Sequence, residues 1–211
     1  MTYEHLTGGL LECSFDDAQH RYTVEGGVVL PSVTQIMKPL TQSAYRFIPR
    51  AVLDNAATLG TFVHACTELM DEDDLSDEDR QDAEARGYLD AYEAWKRIAN
   101  PEFLGVELRL ACRSFAGTID RVAVINGEHW IIDLKTTSEL HAHVGIQLAA
   151  YEVLSRLAFP EVKTFRRAAL QLKEDGKYRF KEYASPMDKQ CFFGLLNLHL
   201  WRTANGLEDK E

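Results

Sequence analysis

A chain of 211 residues, 45% hydrophobic and 27% charged, has the composition of one ordinary globular domain with a good core. Its formal net charge of −10 argues against a protein whose bulk field draws in nucleic acid. The four cysteines form no CxxC pair that would propose zinc or an iron–sulfur cluster, and no apolar run approaches the roughly 18 residues that span a bilayer.

Taken in chain order, residues 10–30 alternate short apolar stretches with Asp16-Asp17 and Gly26-Gly27, which predicts one or two β-hairpins turning at those pairs. Pro31-Ser32-Val33-Thr34 reads as a loop feeding a short helix, with Ser32 as its N-cap. Leu59, Phe62, Val63, Cys66 and Met70 repeat at helical spacing and predict a helix from about Asn55 to Met70. Residues 71–84 carry nine acids and one base, which reads as a solvated loop and helix start. A second helix is expected from about Asp77 to Ile98, on the repeat of Tyr88, Leu89, Tyr92, Trp95 and Ile98.

Three strands follow, Val106 to Ala111, Gly117 to Val124 and Trp130 to Asp133, the last two joined by Asn126-Gly127, a two-residue hairpin signal. Residues 143–157 return to helical spacing, 165–172 and 178–183 suggest another hairpin, and 187–203 a closing helix. Met1 to His5 has neither a basic nor an apolar leader character. The expectation is a cytoplasmic protein with no membrane partner, whose Cys13, Cys66, Cys112 and Cys191 are reduced and mostly buried.

The chemistry concentrates in Asp133-Leu134-Lys135. Strand side chains alternate, so the acid and the amine project from one face. Alone this would be a simple ion pair. Gly117-Thr118-Ile119-Asp120 on the preceding strand brings a second carboxylate across the ladder, and two converging carboxylates repel unless a divalent cation lies between them. Hard oxygen donors suit Mg2+ or Mn2+ better than zinc, and such a cation supplies what phosphodiester hydrolysis demands. Lys135 can then hold the attacking water or neutralise the phosphate.

G-x-x-D, then I-D-x-K-T, then Gln147-Leu148-Ala149-Ala150-Tyr151, resembles the RecB-type branch of the PD-(D/E)XK nucleases, and Gly60-Thr61-Phe62-Val63-His64 is similar to the element with which that branch supplies a histidine. The resemblance spans about residues 60–155. It implies His64, Asp120, Asp133 and the main-chain carbonyl of Leu134 as metal ligands, and Asp120, Asp133 and Lys135 as catalytic residues. Gln147 and Tyr151 share a helical face and would position Lys135, phosphate or a base; Tyr151 can equally be core. Glu107 could bind a second cation or water, and Thr136 and Thr137 either contact phosphate or only end the strand. The N-terminal segment also resembles the leader of bacteriophage-encoded members, where Ser32 and Thr34 would shape the DNA entrance or the hairpin would only cover the sheet.

The fold implied is α/β: a restriction-endonuclease-like core with a mixed sheet of about five strands flanked by helices. One nuclease domain would comprise a leader (1–40), a helical part (41–100), the catalytic sheet and helix (101–185) and a closing helix (186–211). The function implied is a Mg2+- or Mn2+-dependent DNA exonuclease acting on linear ends, single or double stranded, in recombination, repair or phage replication. If phage-encoded, it would work in the bacterial host cytoplasm, and a recombination or annealing partner protein is compatible with it. A nuclease fold that binds nucleic acid or a partner without cutting is the alternative, and a metallohydrolase of small phosphoesters a third. Lys163, Arg166, Arg167, Lys173, Lys177, Arg179 and Lys181 are expected to offset the net charge as a basic strip along the DNA backbone.

Overall fold

The computed structural model describes residues 4–207; the expectations for Met1 to Tyr3 and for the end of the closing segment at 208–211 lie outside the described residues. After α1 (Glu4–Thr7), strands β1 (Cys13–Asp16), β2 (Arg21–Val24) and β3 (Val28–Leu30) make a small antiparallel sheet. Its turns fall at residues 17–20 and 25–27, where the acid and glycine pairs place them. The Ser32 hydroxyl accepts from Gln35 N at 3.1 Å and Gln35 Oε1 accepts from Ser32 N at 2.8 Å, a reciprocal cap that starts α2 (Val33–Tyr45).

Helix α3 (Arg50–Asp71) begins earlier than the apolar repeat suggests. The single helix expected from Asp77 to Ile98 is two, α4 (Asp77–Arg80) and α5 (Arg86–Ala99). Between them Asp82 Oδ1 accepts from Glu84 N and from Ala85 N, both at 2.9 Å. A short acidic side chain has taken the N–H groups that a continuous helix would need.

Strands β4 (Glu102–Ala111), β5 (Ala116–Ile125) and β6 (Glu128–Lys135) run antiparallel, with Ile125 opposite Glu128 across the Asn126-Gly127 turn. Both turn residues have positive φ, 53° and 78°, as the sequence signal requires. Helix α6 (His143–Ala158) carries the chain over to β7 (Phe165–Leu172), which pairs parallel to β6, and β8 (Tyr178–Glu182) closes the edge before α7 (Met187–Ala204). A parallel pair needs such a crossover. The result is an α/β fold on a mixed five-stranded sheet in the order β4-β5-β6-β7-β8.

Each face of the sheet has its own core. Helices α2, α6 and α7 cover one, through Ile36, Leu148, Leu154, Phe192 and Leu196; α3 and α5 cover the other, through Val63, Leu89, Tyr92 and Trp95. Covering both faces explains why β6 is buried without alternation from Trp130 to Leu134. All four cysteines are free thiols, but only Cys66 and Cys112 are buried, and Cys191 is exposed. No helix among the described residues is long and apolar enough to cross a membrane.

Candidate active site

The last ladder pair between β5 and β6 is Arg121 with Ile132. Beyond it the strands are tied by a side chain: Asp120 Oδ2 accepts from Leu134 N at 2.6 Å. Asp120 and Asp133 are both buried, at 7% and 2% exposure. Burial, reinforced by the charges of Asp133 and Glu107 and opposed by His64, pushes the Asp120 carboxyl up to about 7. Such crowding of acids is the condition a bound cation relieves.

Helix α3 supplies the next group. His64 Nε2 lies 3.2 Å from the Leu134 carbonyl, while Nδ1 lies 3.7 Å from Glu107 Oε1 and 3.8 Å from Asp120 Oδ1. Burial works to lower the imidazole, but Asp120 and Glu107 outweigh it and raise it to about 9. Donor atoms of His64, Glu107 and Asp120 all lie within 4.8 Å of one another. Glu107 holds this position with φ of +44°, in the left-handed region inside a strand. Such a non-glycine conformation costs on the order of 1–3 kcal/mol and persists only where the surroundings impose it.

The surroundings centre on Arg121, whose side chain is 0% exposed. Its Nη1 donates to Glu107 Oε1 at 3.1 Å and to the Asp120 carbonyl at 2.6 Å, and Nη2 donates to Thr67 Oγ1 at 3.1 Å. Thr67 Oγ1 in turn donates to the His64 carbonyl at 2.8 Å. One guanidinium thus reaches Glu107 directly, Asp120 through its backbone and His64 through Thr67. Nε donates to Asp71 Oδ2 at 2.7 Å and to the Tyr92 hydroxyl at 3.0 Å, and Lys96 Nζ lies 2.6 Å from Asp71 Oδ1. Asp71, the first acid of the run read as solvated, is a buried partner at 2% side-chain exposure.

Lys135 points to the other side of β6 from Leu134. Its Nζ lies 2.7 Å from Asp133 Oδ2 and donates to Gln147 Oε1 at 3.3 Å; Gln147 Nε2 donates to the Tyr151 hydroxyl at 3.0 Å. Desolvation would lower the amine, but Asp133 and Asp120 hold it above its ordinary range, so it is an ammonium at neutral pH. Asp133 thus pairs with Lys135 and is not among the three donors that lie within 4.8 Å of one another. Tyr151 is core and site at once, at 5% exposure. Its ring explains Gly117, where a Cβ would stand 2.9 Å from Tyr151 Cε1.

His64, Glu107, Asp120, Lys135 and Tyr151 line a cleft of about 580 Å3 with Gly60, Ser32, Thr34, Thr118, Thr136 and Thr137, and with Phe15, His20 and Arg109 at its N-terminal-sheet side; Asp133 and Gln147 lie behind this lining. The expected site residues His64, Glu107, Asp120, Leu134, Lys135, Thr136 and Tyr151 all reach it. What the sequence reading missed is the support: Arg121 follows the G-x-x-D acid directly, but its partners Asp71, Thr67 and Tyr92 come from distant segments.

Two members of the expected basic strip, Arg166 and Arg167, do not face the cleft. Arg167 is buried between Glu152, at 3.5 Å, and Asp188, at 3.4 Å. Arg166 is paired with Glu128 and Glu182, both at 2.5 Å, at the end of the sheet away from Lys135. Alternation along β7 turned Arg167 inward, a direction that a count of charges cannot register.

One imidazole and two carboxylates, drawn together and crowded enough to raise Asp120, form a donor set that fits a hard divalent cation. The sequence model of the PD-(D/E)XK nuclease superfamily matches residues 80–207, more than half of the chain. No curated protein matches. Among solved structures, a protein of Eubacterium rectale described provisionally as an exonuclease is similar over 73% of this chain and 69% of its own, at 13% identity and a TM-score of 0.47. By the family match and the residues that carry it, this chain belongs to the PD-(D/E)XK nuclease superfamily.

Proposed function

We propose that the chain is a Mg2+- or Mn2+-dependent deoxyribonuclease of the RecB-type branch, of the bacteriophage-encoded kind, and that it acts as an exonuclease on linear DNA ends. The observation that carries this reading is the convergence of His64, Glu107 and Asp120 donors within 4.8 Å beside a protonated lysine in an open cleft.

His64, Glu107 and Asp120 would hold the cation, with the Leu134 carbonyl and Asp133 next to them as further oxygen donors. When bound, the cation would stabilise charge growing on the phosphate and acidify a nearby water. Lys135, fixed between Asp133 and Gln147, would present its ammonium to the phosphate and stabilise the same charge. Tyr151 fixes Gln147, so the lysine is pre-aimed rather than free to swing. Thr136 borders the same cleft and offers a hydroxyl to a phosphate oxygen.

The test is incubation of the purified protein with end-labelled linear and circular DNA, single and double stranded, and with RNA, in Mg2+, Mn2+ or EDTA. Cation-dependent loss of label from linear DNA, at least about a hundredfold slower in Asp120→Asn and Lys135→Ala, is the expected result. Equal cutting of circles would turn the reading to an endonuclease. Activity that survives EDTA or both substitutions would overturn it.

A further inference from the structure

A second cavity, of about 230 Å3, adjoins the cleft and shares Thr34, Lys135 and Thr137 with it. Three half-buried rings line it: Tyr45 at the end of α2, and His141 and His143 at the entry to α6. The two imidazoles are stacked, with centroids 5.3 Å apart and planes 17° from parallel. Tyr45 meets them edge-on, at 5.5 Å from His141 and 5.9 Å from His143. The Tyr183 hydroxyl donates to the His141 carbonyl at 3.0 Å, which fixes the segment carrying both imidazoles. None of these residues belongs to the cation cluster, and the arrangement of Lys135 and Gln147 does not need them.

Rings next to a phosphate-binding lysine can serve phosphate or base. Burial, together with His141 and Lys135, holds His143 below the ordinary imidazole range, so its ring is neutral at neutral pH and offers an aromatic surface rather than a charge. Aromatic surfaces accept any nucleobase, because every base has a π-face. A base that is still paired in a duplex has its faces covered by its neighbours in the stack.

We infer that Tyr45, His141 and His143 form a stacking subsite for one unpaired nucleobase flanking the phosphate held at Lys135, and that the chain therefore engages a single-stranded or frayed DNA end. The inference rests on the nuclease reading above for the phosphate and supplies the form of its substrate. Thr41, Met37 and Val144 line the same cavity, so a base entering it exchanges water for partly apolar contact.

The experiment is a cycle between protein and substrate. Single-stranded oligonucleotides, intact or with an abasic residue at the terminal or the penultimate position, are cut by the wild type, Tyr45→Ala, His143→Ala and Tyr45→Phe, and their affinities are measured by fluorescence anisotropy in Ca2+. With intact DNA the alanine variants are expected to lose roughly 5- to 150-fold in affinity and in kcat/KM, with Tyr45→Phe recovering most of the loss. With the abasic position in the subsite the wild type falls by a similar factor and the alanine variants fall little further. Equal losses on intact and abasic DNA, or no loss at all, would overturn the subsite. If the wild type cuts nothing, the nuclease reading fails by itself. The affinity cycle then still decides: base-dependent coupling upholds the subsite and its absence overturns it.

Discussion

Arg121 on β5 and Arg167 on β7 are both buried in the central sheet, at 0% and 7% exposure, and each is wrapped by acids and carbonyls. A buried ion is costly, commonly by several kcal/mol, unless every donor finds a partner. Arg167 finds them on Glu152 and the Gly145 carbonyl of α6, on Asp188 of α7 and on the Ser185 carbonyl before it. It fastens two helices to the sheet. Arg121 instead reaches the candidate cation cluster itself, through the Glu107 carboxylate, the Asp120 carbonyl and Thr67, and is held by Asp71 and Tyr92. The same residue type, buried to nearly the same degree, is a packing device in one place and a scaffold for a site in the other. Burial does not separate them; the identity of the partners does.

Arg121→Met should break the comparison most visibly. The stem is kept, but Asp71 loses its guanidinium and keeps only Lys96 and the Tyr92 hydroxyl, and a loss of about 3–5 kcal/mol is expected in urea unfolding. With Glu107 released, affinity for Mn2+ measured by calorimetry should fall about 10- to 100-fold. Arg167→Met should cost less, about 2–3 kcal/mol, because Glu152 keeps Lys189 at 2.9 Å and Arg156 at 2.9 Å. Its Mn2+ affinity should match the wild type. If both variants lose cation affinity equally, the distinction between the two arginines is wrong.

Tyr92→Phe sharpens the contrast with a smaller change. The hydroxyl donates to Asp71 at 2.6 Å and accepts from Arg121 at 3.0 Å inside the α3–α5 core. Removing it should cost about 1–2 kcal/mol in thermal or urea unfolding and weaken Mn2+ binding less than Arg121→Met does. A cation affinity as low as that of Arg121→Met would mean that Tyr92, rather than the guanidinium, sets the Glu107 position.

The sheet was legible in the sequence because periodicity and turn chemistry are local: Asn126-Gly127 and Ser32 act on their own neighbours, and the strand–helix order after Pro101 followed from spacing alone. The D-x-K pair and Asp120 were legible for the same reason, since alternation and a short hairpin bring them together. Glu107 could be suspected but not placed, because its φ of +44° is imposed by Arg121 and His64 from outside its strand. Asp71 was misread outright. Within an acidic run its charge signals solvent, and only the packing of α3 against β5 puts it opposite Arg121. The break at Asp82 escaped because a side chain competing for two backbone N–H groups leaves the apolar repeat on either side unchanged.

The smallest effect concerns acidity on the Arg167 side. Burial would raise the Glu152 carboxyl, but Lys189 and Arg156 outweigh it and hold it below its ordinary value. A depressed folded value means that the unfolded chain binds a proton more readily. Glu152 therefore contributes stability that is present above the unfolded carboxyl's range, near pH 4.3, and is lost as pH falls through the folded value. Glu152→Gln should be less stable than the wild type by about 1 kcal/mol at pH 7, and the gap should narrow between about pH 5 and pH 3. Urea midpoints across that range measure it. A gap that stays constant would mean that the glutamate acts through packing, and that the charges gathered around Arg167 are spectators to the fold they lie within.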